Sequence, residues 1–235
     1  MAVCHQRVEA AIAPGVTTQD LDDIVRDTLA EFGATSNFLD HHGFTGRICA
    51  SINDEIVHGI PGARTLQDGD IISVDIGAIV DGFHGDSAWT YPVGTISLDA
   101  QRLLIDTEAS LLEGLAKATA GNRLGDIGHA VEVYASERGY GIVEEYGGHG
   151  IGREMWEEPH IPNWGEPGTG LRLKKGMTLA IEPMLTLGRE ETRVLDDEWT
   201  VVTADGSLAA HFEHTIVITD GPPLVLTKRL ASVVH

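Results

Sequence analysis

The sequence predicts an α+β protein. Helical periodicity is confined to two blocks, near residues 21–32 and 98–138, and strand-like runs form blocks of their own near 70–91 and 174–226. No strand–helix–strand alternation links them, so a doubly wound parallel sheet is not expected. In chain order, Pro14-Gly15 signals a turn, and Thr17 and Thr18 carry side chains that cap a helix start. Leu21, Ile24, Val25, Thr28, Leu29 and Phe32 then recur at helical spacing until Gly33 supplies a stop. Residues 34–58, rich in Gly, His and Asn, read as strand and loop. Asp70 to Tyr91 reads as a hairpin, with β-branched runs on either side of Asp81-Gly82. Helical spacing returns from Leu98 to Lys117, through Leu103, Leu104, Thr107, Leu111, Leu112 and Leu115, and a further helix is expected from about Leu124 to Arg138. The glycine-rich stretch Gly147 to Gly152 precedes strands separated by turns from Lys174 to Leu226. Both halves run helix-then-strand, which hints at an internal duplication, and with no linker in view the expectation is one domain over residues 1–235.

The chain has 235 residues, 42% hydrophobic and 22% charged, so it can bury a core without a metal or disulfide to hold it. Sixteen Lys+Arg against thirty-six Asp+Glu leave a net charge of −20. Such a surface repels nucleic acid and anionic membrane alike. The N-terminus lacks the apolar core of a signal peptide, and the longest near-apolar run, Ile71 to Val80, is too short to span a bilayer. Two cysteines, Cys4 and Cys49, without a C-x-x-C pair, point to a reducing compartment and a cytoplasmic protein.

No G-x-S-x-G, Walker lysine loop, G-x-G-x-x-G after a strand or H-E-x-x-H is present. Serine-nucleophile, nucleotide and zincin chemistry therefore lose support. The hairpin is more informative. With Asp81-Gly82 as a two-residue turn, Asp75 faces Ala88 and Asp86 faces Gly77, so the two aspartates are diagonal neighbours on one face. Diagonal neighbours lie roughly 7–8 Å apart at Cα, near enough for their carboxylates to hold one metal ion or span a pair. Strand aspartates commonly just face solvent, but Asp75 sits within the apolar run Ile71 to Ile76, where a carboxylate needs a cation or a proton. Downstream, His149 is flanked by glycines that allow close backbone approach. Glu182 ends one apolar strand and Glu213 begins another. Each is bland alone; together, two aspartates, two glutamates and a histidine suit a pair of divalent ions such as Mn²⁺, Fe²⁺ or Co²⁺ better than one structural zinc. Such a cluster activates a water as nucleophile.

The order Asp75, Asp86, His149, Glu182, Glu213 resembles that of the methionine aminopeptidases, within the pita-bread metallopeptidase superfamily. The resemblance covers nearly the whole chain and rests on seven segments in family order: Ser51-Ile-Asn53, His58-Gly-Ile-Pro61, Asp81-Gly-Phe-His-Gly-Asp86, Gly148-His-Gly-Ile-Gly152, Met177-Thr-Leu-Ala-Ile-Glu-Pro183, Trp199-Thr200 and Phe212-Glu-His-Thr-Ile-Val217. It implies two pseudo-symmetric halves around a central, largely antiparallel sheet with helices outside and metals in the cleft between. It further implies that Asp75 ligates one ion, Asp86 and Glu213 bridge two, and His149 and Glu182 hold the other, with Mn, Fe, Co or alternatively Zn as the metal. Glu182 would also move the proton of the attacking water. His58 would hydrogen-bond the substrate near the scissile amide, and Phe44, Cys49, Met155 and Trp199 would line the methionine side-chain pocket. The implied activity is removal of N-terminal methionine from nascent chains or peptides by a monomer.

Three positions depart from the family pattern. Trp156 stands where the family has a second active-site histidine, and Phe38 and His41 alter the pocket entrance. His160, four residues beyond Trp156 in an extended segment, need not reach the same point. The family also carries further residues ahead of the stretch that here precedes Pro14. Two other readings follow: a divergent hydrolase with another substrate, and a binding member that has lost hydrolysis.

Overall fold

In a computed structural model describing residues 1–229, the chain folds as two helix pairs packed outside antiparallel strands. Residues 230–235, which the single-domain expectation included, lie outside the described residues. Helix α1 (Ala2–Ala11) packs on α2 (Thr18–Glu31). Thr17 and Asp20 form a reciprocal capping box at the start of α2, and Gly33 turns the chain at φ +64°, as the periodicity and stop signal predict. Helix α1 was not expected. Its buried face is Cys4, His5 and Val8, and a histidine at a core position hides the apolar stripe that would have marked it. His5 is satisfied there by Tyr91 and Ser87, at 2.9 and 3.0 Å.

Short strand β1 (Thr35–Ser36), β2 (Ile48–Ile52) and β3 (Glu55–Val57) lead to the long hairpin of β4 (Ile71–Val80) and β5 (Phe83–Pro92). Its turn residues Asp81 and Gly82 sit at φ +52° and +72°, the left-handed pair a tight hairpin requires. Helices α3 (Leu98–Lys117) and α4 (Leu124–Ser136) form the second outer pair. The second half then supplies β6 (Gly141–Ile142), β7 (Gly148–Gly150), β8 (Glu157–Ile161), β9 (Thr178–Ile181) and β10 (Met184–Thr186). It closes with β11 (Thr192–Val194), β12 (Val201–Thr203), β13 (Ala209–His211), β14 (His214–Val217) and β15 (Leu224–Val225).

All pairings between these strands are antiparallel, but hydrogen bonding divides them into four sheets of four, three, three and five strands. The divisions follow irregularities, among them Pro183, which has no N–H to give a ladder. The main apolar core spans both halves, from Val8, Leu21 and Ile72 to Leu103, Leu179 and Ile216. Among the described residues no helix is long and apolar enough to cross a membrane.

Candidate metal centre

The first two acids come from the β4–β5 hairpin. Its register pairs Asp75 with Ala88 and Gly77 with Asp86, so both aspartates project from one face. Their carboxyls lie within hydrogen-bonding reach of one another, which demands a proton or a cation between them. The glutamates come from a second strand pair of the same kind. Strands β9 and β14 pair Ile181 with His214, while β10 and β13 pair Met184 with His211. The register runs unchanged across the gap, so Glu182 stands opposite Glu213 where both ladders break. Glu213 is tied to the first hairpin by its backbone N–H, which donates to the Ala88 carbonyl at 2.9 Å. Each half thus contributes two carboxylates from one antiparallel pair.

His149 lies at the middle of β7, between β8 and β9. A Cβ on Gly148 would sit 2.2 Å from the Ala180 carbonyl oxygen, and one on Gly150 would sit 2.4 Å from that of Glu158. The glycines are there because neighbouring backbone approaches from both sides. The His149 Nδ1–H donates to the Gly150 carbonyl at 2.8 Å, which leaves the Nε2 lone pair free for a metal. Ligand atoms of Asp86, His149 and Glu213 lie within 4.8 Å of one another. Glu182 Oε1 is 3.8 Å from His149 Nε2. All five side chains line one cleft of about 440 Å³, together with His58.

The electrostatics of this cleft are unfavourable for the bare protein. Burial first, and then the charges of Asp86 and Glu182, push Asp75 well above the usual carboxylate range. Burial with the charges of Asp86, Glu182 and Asp75 does the same to Glu213. Burial raises Asp86 and Glu182 each to about 7. Asp75 Oδ1 and Glu213 Oε1 are buried with no hydrogen-bond partner. Four crowded acids with orphaned oxygens and an imidazole with a free lone pair are what a divalent cation satisfies, so the donor set fits one.

Beside the cleft, Phe38, Phe44, Cys49 and Met155 form a small buried cluster with Ile60 and Trp199 against it. Phe44 meets Trp199 edge-to-face at 5.1 Å. His58 stands between cleft and cluster, 6.3 Å from the Trp199 ring, in a left-handed backbone conformation at φ +60°. Burial holds its imidazole neutral, down to about 4.

Residues 1–220 match the model of metallopeptidase family M24. The chain is 50% identical to methionine aminopeptidase 1 of Bacillus subtilis, covering 97% of this chain and 92% of that one. It is 51% identical to methionine aminopeptidase 1 of Mycobacterium tuberculosis, covering 97% and 88%. The chain belongs to metallopeptidase family M24. Its fold agrees closely with the crystal structure of methionine aminopeptidase from Thermotoga maritima, at a TM-score of 0.95 and 41% identity over 97% of this chain and 92% of that one. The Xaa-Pro dipeptidase of Bacillus anthracis shares the fold alone, at a TM-score of 0.77 and 23% identity over 98% of this chain and 58% of that one.

As an M24 metallopeptidase with a buried Asp/His/Glu cluster, the chain binds divalent metal. The structure brings Asp75, Asp86, His149, Glu182, Glu213 and His58 to one cleft, and it gathers Phe44, Cys49, Met155 and Trp199 beside it. Trp156 is half-exposed and forms a wall shared by cleft and pocket, edge-on to His41 at 4.6 Å and to His149 at 6.5 Å. Two histidines outside the expected set also reach this M24 site. His160 lines the cleft despite its distance along the chain from Trp156, because the β7–β8 register puts it opposite His149. His211 Nε2 lies 3.3 Å from Glu182 Oε2, and burial keeps its ring neutral, down to about 4. Two residues before Glu213, His211 shares a strand face with it by simple alternation, a signal the sequence did contain.

Proposed function

We propose that this chain removes methionine from peptide and protein N-termini, using a pair of divalent ions, Mn²⁺, Fe²⁺ or Co²⁺ with Zn²⁺ as an alternative. The observation that carries the reading is the meeting of the five-residue metal-ligand set with His58 and a compact apolar pocket at a single cleft. Relatives about half identical along nearly the whole chain are named methionine aminopeptidases. Asp75 would hold one ion, Asp86 and Glu213 would bridge, and His149 and Glu182 would hold the second. Bound there, the ions acidify a water and polarise the scissile carbonyl.

The protein's own groups do the rest. Glu182, which lines the cleft beside His149, is placed to accept a proton from the attacking water and return it to the departing amine. The new C–O bond replaces the broken C–N bond, and the free amine leaves with that proton. His58 is a neutral imidazole at the junction of cleft and pocket, where it can hydrogen-bond the substrate amide. The apolar cluster around Phe44 and Met155 excludes water and takes the unbranched thioether side chain. The enzyme works as a monomer in the cytoplasm on this reading, supported by its strongly acidic charge and its two buried free thiols.

The test is a panel of three peptides, Met-Ala-Ser, Leu-Ala-Ser and acetyl-Met-Ala-Ser, on protein refilled with each metal. Fast release from the first, slow release from the second and none from the third supports the reading. Equal cleavage of all three, or no cleavage of any, defeats it.

A further inference from the structure

A carbonyl under attack needs hydrogen-bond donors aimed at the oxygen where charge develops. The lining of this cleft is poor in them: seven carboxyls face it, and no Lys or Arg among the described residues does. Its side-chain donors are His58, Tyr146, His149, Trp156 and His160. Two of these already have a place in the reading above, His149 at the metal and His58 at the substrate amide, while Tyr146 and Trp156 are held by ring packing. His149 spends its Nδ1–H on the Gly150 carbonyl. His58 packs edge-on to Tyr146 at 5.9 Å and to Trp199 at 6.3 Å, at the pocket side. Trp156 packs its ring on His41.

His160 remains. Strands β7 and β8 pair His149 directly with His160, so the two imidazoles project from the same sheet face. Side chains so paired have Cβ atoms about 4.5–5.5 Å apart. The His160 ring reaches over Gly147: a Cβ at that glycine would lie 3.2 Å from His160 Cε1. The ring is exposed and lines the cleft, so it can turn toward a substrate beside the His149 end of the acid cluster.

We propose that His160 is a substrate-contacting catalytic residue whose imidazole N–H donates a hydrogen bond to the carbonyl oxygen of the bond being cut. The inference rests on the hydrolase reading above and adds a residue to it. Because the oxygen gains charge as the water attacks, this bond strengthens in the transition state and acts mainly on kcat.

The experiment compares the manganese-loaded protein with His160→Phe, which keeps a flat ring without the donor, and His160→Gln, which keeps an N–H. Three quantities are read: kcat and KM on Met-Ala-Ser, calorimetric affinity for a tetrahedral phosphonate analogue of methionine, and metal content per chain. His160→Phe is expected to lose about a hundredfold in kcat with KM little changed, and to bind the phosphonate more weakly by a similar factor. Metal content should stay unchanged, and His160→Gln should recover about tenfold of the lost rate. An unaltered kcat in His160→Phe, a loss confined to KM, a loss that follows lost metal, or a Gln variant no better than Phe each overturns the proposal. If the unsubstituted protein releases no methionine, the hydrolase reading fails separately, and phosphonate affinity alone decides the role of His160.

Discussion

Replacing an acid proposed to hold a metal would be expected to weaken a protein, yet here Asp86→Asn should stabilise the metal-free form. Asp86 is 2% exposed, and burial lifts its carboxyl from 3.8 to about 7. An acid whose folded value is raised binds its proton more tightly folded than unfolded, so stability falls as pH climbs from about 4 to about 7. The shift of roughly three units corresponds to a penalty of about 4 kcal/mol once the group is fully ionised, shared with its coupled neighbours. Asparagine removes the charge and keeps the contact in which Asp86 Oδ1 accepts the Ser87 N–H at 3.1 Å. For a chain of this size a gain of that order raises Tm by about 10 °C. The assay is calorimetric melting of chelator-stripped protein at pH 8 and pH 4, with and without Mn²⁺. Stripped Asp86→Asn should melt higher than the wild type at pH 8 and close to it at pH 4. Added Mn²⁺ should raise the wild type and leave the variant nearly unmoved. A stripped variant that melts at or below the wild type at pH 8 would refute the claim that the acids are held together against their own repulsion.

Gly148→Ala should cost about 3 kcal/mol, read as a lower urea midpoint, because its Cβ would meet the Ala180 carbonyl at 2.2 Å. Phe44→Ala opens the pocket wall and should cut the preference for methionyl over leucyl peptides about tenfold in kcat/KM, alongside a cavity cost of about 3 kcal/mol. Burial holds His5 down to about 3 and His214 to about 4. The unfolded chain therefore takes up their protons first, and metal-loaded protein should lose stability as pH falls from about 6.5 toward 4. The two together set a slope near 3 kcal/mol per pH unit, measured by denaturant unfolding across that range. Replacing both with Gln should remove that share of the slope and leave the share of His58 and His211, which burial also lowers to about 4.

How much of this was legible depended on how local each signal was. The β4–β5 hairpin could be read to the residue, because the Asp81-Gly82 turn fixes register and register fixes which side chains share a face. The span of α3, Leu98 to Lys117, followed from its repeating leucines. The meeting of Glu182 with Glu213 was not local: it depends on a register carried through two strand breaks, with Pro183 in one of them. Helix α1 was hidden by His5, whose burial becomes affordable only once Tyr91 and Ser87 arrive from far along the chain. That His160 lines the cleft was not legible for a related reason. An irregularity in the β7–β8 pairing sets Gly150 against Glu157 and His149 against His160, a shift no spacing rule anticipates. The pocket residues were legible only through resemblance, since a pocket wall and a core look alike in composition.

The most direct test of the central claim is a titration of metal-stripped protein with Mn²⁺, in which bound metal and methionine released from Met-Ala-Ser are followed in the same samples, with Asp75→Asn alongside. The account predicts no release without metal, release that rises with occupancy of the cluster, and none from Asp75→Asn at any metal concentration. Release by the stripped protein, or full release by Asp75→Asn, would contradict it.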